Sequence, residues 1–119
     1  ERKIASMAVE QNETPAWEDQ GGGVKRRIVA DGEKLMLVQV HFEAGGVGTL
    51  HSHPHEQAVY VLSGAVRFTR GDEVFEIKAG ENTLVPPGTT HGLLALEETL
   101  LLDVFSPPRE DFRRPDFRY

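Results

Sequence analysis

The stretch Gly45-Gly-Val-Gly-Thr-Leu-His51-Ser-His53-Pro-His55-Glu56-Gln57 sets three imidazoles and an amide just after a glycine-rich turn. It is answered downstream by Gly80-x5-Pro86-x-Gly88-x2-His91. Side chains alternate across an extended strand, so His51, His53 and Gln57 share one face if the segment 48–54 stays extended through Pro54. Glu56 then points away, which makes the amide of Gln57, rather than that carboxylate, the group that joins the imidazoles. His55 also lies on the odd-numbered face, but a twist at Pro54 is expected to leave it at the rim. With no cysteine in the chain, any bound ion must be held by imidazole, amide or carboxylate. His51, His53, Gln57 and His91 are therefore the expected ligands of one divalent transition metal, with nickel, zinc, manganese and iron all compatible. The competing explanation is a set of packed or solvated side chains.

Outward from this stretch the chain reads as short strands. Leu35, Leu37, Gln39 and His41 alternate with Met36, Val38, Val40 and Phe42, and further strands are expected at 57–63, 65–70, 73–78, 82–85, 91–96 and 99–105. Turns fall at Ser63-Gly64, Arg70-Gly71-Asp72, Ala79-Gly80 and Pro86-Pro87-Gly88. His41 is expected to be a satisfied core or rim histidine. Twelve glycines and seven prolines in 119 residues suit tight turns better than helices. The fold class is all-β, a closed or double-sheet antiparallel structure in a single domain. Residues 1–23, which end in Gly21-Gly22-Gly23, read as an N-terminal arm. Residues 24–119 form the barrel, with an irregular Pro- and Arg-rich tail from Ser106 lying across it.

A second cluster lies near the C-terminus. The strand Leu100-Leu-Leu-Asp103-Val-Phe105 places Asp103 and Phe105 on one face, and Ser106-Pro107-Pro108 then turns the chain so that Arg109 follows within reach. An acid in so apolar a strand is costly to bury unless it has a partner or a task. Asp103 can serve as a proton-transfer group, Phe105 as a sugar platform and Arg109 as a carboxylate clamp. Alternatively, Asp103 and Arg109 pair and pin the C-terminal segment.

The two histidine motifs resemble those of the cupin family. Gly45, His51, His53, Gln57 and Gly64 match its first motif, with Gln57 in the usual glutamate position. Gly80, Pro86, Gly88 and His91 match its second, with Ala95 where asparagine is usual. The fifteen residues between Gly64 and Gly80 are similar to the short spacing of small single-domain cupins. The resemblance covers roughly residues 35–105 and implies a double-stranded β-helix, or jelly-roll barrel.

Together with Asp103-Val-Phe105-Ser-Pro-Pro-Arg109, the first motif is similar to the small pectin-degradation (KdgF-like) cupins. These linearise 4,5-unsaturated hexuronates released from pectin and alginate by lyases. That resemblance implies a metal at His51, His53, Gln57 and His91, functional positions at Asp103, Phe105 and Arg109, a small sugar-acid substrate and a homodimer. Two other readings stand beside it: a metal-dependent dioxygenase, disfavoured by the missing carboxylate, and a non-catalytic module that binds a sugar acid.

A net charge of −6 argues against a nucleic-acid partner. The interleaved Phe112, Arg113, Arg114, Phe117, Arg118 and Tyr119 are accordingly expected to dock on the barrel or on a second subunit. No apolar run approaches the length of a membrane span, and no charged-then-apolar signal segment opens the chain. A cysteine-free chain is compatible with a cytoplasmic location.

Overall fold

Alternating burial decides the strands. Along Thr99–Ser106 the odd-numbered Thr99, Leu101, Asp103 and Phe105 are buried while their even-numbered neighbours are not, as one packed face of a pleated strand requires. The computed structural model describes residues 15–114. The strands among them are β1 (Glu18–Gly21), β2 (Val24–Asp31), β3 (Met36–Phe42), β4 (Val47–His51) and β5 (Glu56–Ser63). They continue as β6 (Ala65–Arg70), β7 (Glu73–Lys78), β8 (Asn82–Val85), β9 (His91–Ala95) and β10 (Thr99–Ser106). A single helical turn, α1 (Glu110–Arg113), follows.

Two antiparallel sheets result, one ordered β1-β2-β3-β10-β5-β8 and the other β4-β9-β6-β7. From β3 onward the chain passes back and forth between them, apart from the β6–β7 hairpin, which is the jelly-roll winding. Phe42, Val59, Val61, Val66, Phe68, Ile77, Val85, Ala95 and Leu101 fill the space between the sheets. Met36, Val38 and Phe105 form a smaller cluster nearer the C-terminal segment. Each such side chain contributes about 1.5–3 kcal/mol by leaving water, enough to hold the sheets together without a disulfide.

Gly64, where β5 turns into β6, shows why the first motif ends in glycine. Its φ is +92°, and a Cβ there would lie 2.3 Å from the Glu98 carbonyl oxygen and 2.7 Å from Thr99 Cα. Only a residue without a side chain admits that approach.

Three expectations change. Residues 48–54 are not one strand: β4 stops at His51, and β5 begins in the other sheet at Glu56. The part of the expected arm that is described is not a free linker, since Glu18–Gly21 pairs with β2 as an edge strand. The tail contains α1, tied down by an ion pair from Arg113 to Asp31 and by Phe112 against Phe105. The rest of the arm, residues 1–14, and residues 115–119, with Phe117, Arg118 and Tyr119, lie outside the described residues.

Candidate functional site

β4 ends and β9 begins side by side, with His51 directly opposite His91. Gly92 permits this approach, because a Cβ there would stand 2.6 Å from the Gly48 carbonyl oxygen and 3.0 Å from Leu50 N. The two imidazole centroids lie 4.4 Å apart. His53, from the bend after β4, adds a third ring 5.4 Å from His51 and 4.8 Å from His91. One ligating atom from each of the three histidines lies within 4.8 Å of the other two. Gln57, at the start of β5, brings its side chain from the opposite sheet, and its Oε1 accepts a hydrogen bond from His53 Nε2 at 3.0 Å.

Backbone carbonyls orient two of these rings. His51 Nδ1 donates to the Thr49 carbonyl and His91 Nδ1 to the Thr89 carbonyl, each at 2.8 Å. A carbonyl can only accept, so the proton sits on Nδ1 and Nε2 presents a lone pair, as metal-ligating histidines require. The buried Nε2 of His91 has no hydrogen-bond partner. Burial, aided by the Arg109 and His91 charges, lowers the His53 pKa to about 4. Burial likewise lowers that of His91, against the opposing pull of the Thr89 carbonyl. Near neutral pH both rings are therefore uncharged ligands. Three imidazoles, two of them with an orphaned buried nitrogen, and an amide oxygen fit a divalent transition-metal ion.

The second cluster opens into the same space. Asp103 and Phe105 on β10, and Arg109 beyond the turn, line a cavity of about 570 Å³ together with His51, Gln57 and His91. Cross-strand register places Phe105 opposite Gln57. The Gln57 amide donates to the Asp103 carboxyl, so one side chain links the imidazole cluster to the acid. Burial raises the Asp103 pKa to about 7, against the pull of that bond and of the Arg109 charge. Asp103 can therefore hold or release a proton near neutrality.

Besides its charge acting on Asp103, Arg109 makes an ion pair with Asp111. Arg109 donates from Nε and Nη2 to the two Asp111 carboxylate oxygens at 2.9 and 2.7 Å. Burial alone would raise the Asp111 carboxyl, but the Arg109 bond and charge hold it below the usual range. Nor is His55 at the rim: it is 1% exposed, hydrogen-bonded to the Pro108 backbone beside Arg109. Glu56 is exposed, as alternation requires, and His41 pairs with Glu98 at 2.8 Å.

The sequence reading missed Arg26 and Asp111, whereas Phe112 docks on the barrel as expected. Arg26 and Phe112 line the same cavity, with the Arg26 guanidinium carbon 3.7 Å from the Phe112 ring centroid. A signal for Arg26 is present: it is the one charge between the apolar Val24 and Ile28 on a single strand face.

The profile described as "Cupin domain" matches residues 38–105. The chain is 41% identical over 103 residues to the pectin degradation protein KdgF of Dickeya dadantii, covering 85% of this chain and 93% of that one. A solved KdgF from a Halomonas species is 40% identical with a TM-score of 0.79, covering 82% of this chain and 91% of that one. An RmlC-like cupin from Shewanella frigidimarina is 37% identical with a TM-score of 0.79, covering 82% and 87% of the two chains.

Proposed function

From the premise that this chain belongs to the cupin domain family, we propose that it is a metal-dependent, non-redox enzyme of pectin or alginate breakdown. Its reaction is the ring opening of 4,5-unsaturated hexuronates to open-chain 4-deoxy-5-keto uronates. The observation that carries this reading is the convergence of His51, Gln57 and His91 with Asp103, Phe105 and Arg109 on one cavity. The similarity to proteins named KdgF supports the substrate class.

In such a substrate the ring oxygen belongs both to a hemiacetal at carbon 1 and to an enol ether at carbon 5. Breaking the bond from carbon 1 to that oxygen frees an aldehyde. The proton of the carbon 1 hydroxyl is given up as that bond breaks, the enolate that remains takes a proton at carbon 4 to become the keto acid, and no electrons leave or enter. His51, His53, Gln57 and His91 would hold a divalent cation, nickel, zinc, manganese or iron, which when bound supplies Lewis-acid stabilisation of the charge growing on the ring oxygen. Asp103 is the proton-transfer group, buried beside Gln57 and poised near neutrality. Phe105, 2% exposed, forms an apolar floor for the sugar. Arg109, braced by Asp111, adds positive charge on the side where a carboxylate would approach.

The test follows the ultraviolet absorbance of the unsaturated uronate after a lyase digest. We expect faster loss with the protein than without it, and none of that gain after a chelator. A rate equal to spontaneous opening refutes the reading.

A homodimer and a cytoplasmic location belong to the same proposal. Tyr60, Leu62 and Leu84 are exposed on the outward face of β5 and β8, an apolar surface that a second copy would cover. Light scattering on the purified chain checks the first, and cell fractionation the second. Among the described residues no helix is long and apolar enough to cross a membrane.

A further inference from the structure

One buried imidazole has no task in the ring opening. His55 is 1% exposed and takes the last position of the bend between β4 and β5, flanked by His53 and Gln57. It is not one of the three clustered histidines. A polar ring is costly to enclose unless it is hydrogen-bonded. His55 makes its bond toward the C-terminal segment, to the Pro108 backbone. Proline has no N–H, so the acceptor is the Pro108 carbonyl and the imidazole is the donor.

That carbonyl belongs to the peptide group that leads into Arg109. Only Pro107, Pro108 and Arg109 lie between the end of β10 and the start of α1, and two prolines supply no backbone donor with which to fix their own turn. A bond to the Pro108 carbonyl therefore sets the plane from which Arg109 departs. The same ring packs edge to face on His53, with centroids 5.2 Å apart, and on Phe105 at 6.4 Å. His53 and Phe105 meet each other in the same manner at 5.7 Å. The Arg109 guanidinium carbon lies 5.0 Å from the Phe105 ring centroid. Where Arg109 stands matters to the whole site, because its charge acts on His53, His55, His91 and Asp103.

We propose that His55 is a positioning residue, which ties the bend that carries His53 to the turn that carries Arg109. It thereby fixes where the positive charge facing the substrate's carboxylate stands relative to the histidine cluster. The proposal rests on the ring-opening reading above and deepens it, since it names what keeps the acid-selecting charge in register with the metal ligands. An apolar side chain of similar size would fill the space but leave the Pro108 carbonyl unheld, and Arg109 would lose its fixed place.

The experiment is a calorimetric titration of the zinc-loaded full chain with galacturonate and with galactose, run as a double-mutant cycle on His55 and Arg109. Wild type is expected to prefer galacturonate. His55→Leu is expected to lose about tenfold in affinity for galacturonate, within the range for residues coupled in one network, with galactose and zinc binding unchanged. His55→Gln restores an N–H donor and is expected to recover most of that loss. With Arg109→Gln already in place, His55→Leu should remove no further preference for the acid, since a positioning residue acts only through the group it positions. Turnover should show the loss in KM and leave kcat unchanged.

Equal weakening for both sugars, additive losses in the cycle, or no recovery in His55→Gln would make His55 a structural residue and overturn the proposal. Weaker zinc binding in His55→Leu, or no preference for the acid in wild type, would do so too. If His55→Leu does not fold, nitrogen-15 spectra of the wild type decide. A His55 ring N–H shielded from water, and shifted by galacturonate but not by galactose, supports the tie, and a freely exchanging one overturns it. If the acid preference depends on His55 but the unsaturated uronate disappears no faster than spontaneously, the ring-opening reading fails and the His55 assignment stands. Ordinary turnover with an unchanged KM in His55→Leu defeats the assignment alone.

Discussion

Asp103→Asn should make the stability of the metal-stripped protein less sensitive to a rise in pH from about 4 to 7. Burial raises the Asp103 carboxyl from an ordinary 3.8 to about 7, so between those values the unfolded chain sheds a proton that the folded chain keeps. The folded state then binds more protons, and stability falls as pH rises through that window, levelling off above it. A gap of roughly three pH units, at RT ln 10 each, amounts to roughly 4 kcal/mol. Asparagine preserves the shape and can still accept the Gln57 amide, but it has no proton to lose. The assay is denaturant unfolding of chelator-treated wild type and variant across that pH range. Other carboxylates titrate equally in both proteins and cancel in the difference. The variant's advantage should therefore grow by roughly 4 kcal/mol from about pH 4 to above pH 7. Parallel profiles would show that Asp103 is ionised in the folded chain and refute the argument from burial. The same variant should turn over unsaturated uronate much more slowly with metal occupancy intact, and equal activity would remove Asp103 from the mechanism.

Gly92→Ala should weaken metal binding tenfold or more, on the order of 1.4 kcal/mol, because its Cβ would press on the Gly48 carbonyl and force β4 away from β9; a competition titration reads this out. Gly64→Ala should cost roughly 3 kcal/mol or more through the clash with the Glu98 carbonyl and the left-handed backbone, seen as a large drop in melting temperature. A divalent transition metal at a hundred times its Kd should stabilise the fold by about 2.7 kcal/mol. His91→Ala should abolish that gain, and an equal gain in wild type and variant would place the ion elsewhere.

Much of the site was legible because its geometry is carried by spacing. His51, His53 and Gln57 do converge, but not for the reason alternation suggests. The chain bends between His51 and Glu56 and changes sheets, so the odd-numbered residues meet by arriving from two sides. The same bend explains the failure at His55, which turns inward toward Pro108 instead of resting at the rim. Asp103 and Phe105 were readable because a carboxylate in a run of leucines and valines stands out. β1 was obscured by the three glycines at and just beyond its end, which signal a linker as readily as a hairpin turn. Asp111 was hidden because a local pair two residues apart on an irregular segment has no periodic signature.

His51 and His91 belong to one sheet and Gln57 to the other. An ion gripped by all of them would act as a rivet across one end of the sandwich. The layers could not breathe apart there without first surrendering a ligand. Amide protons along β5 and β9 should then exchange with solvent more slowly as the ion is added, while those of β7, at the far edge, should keep their pace.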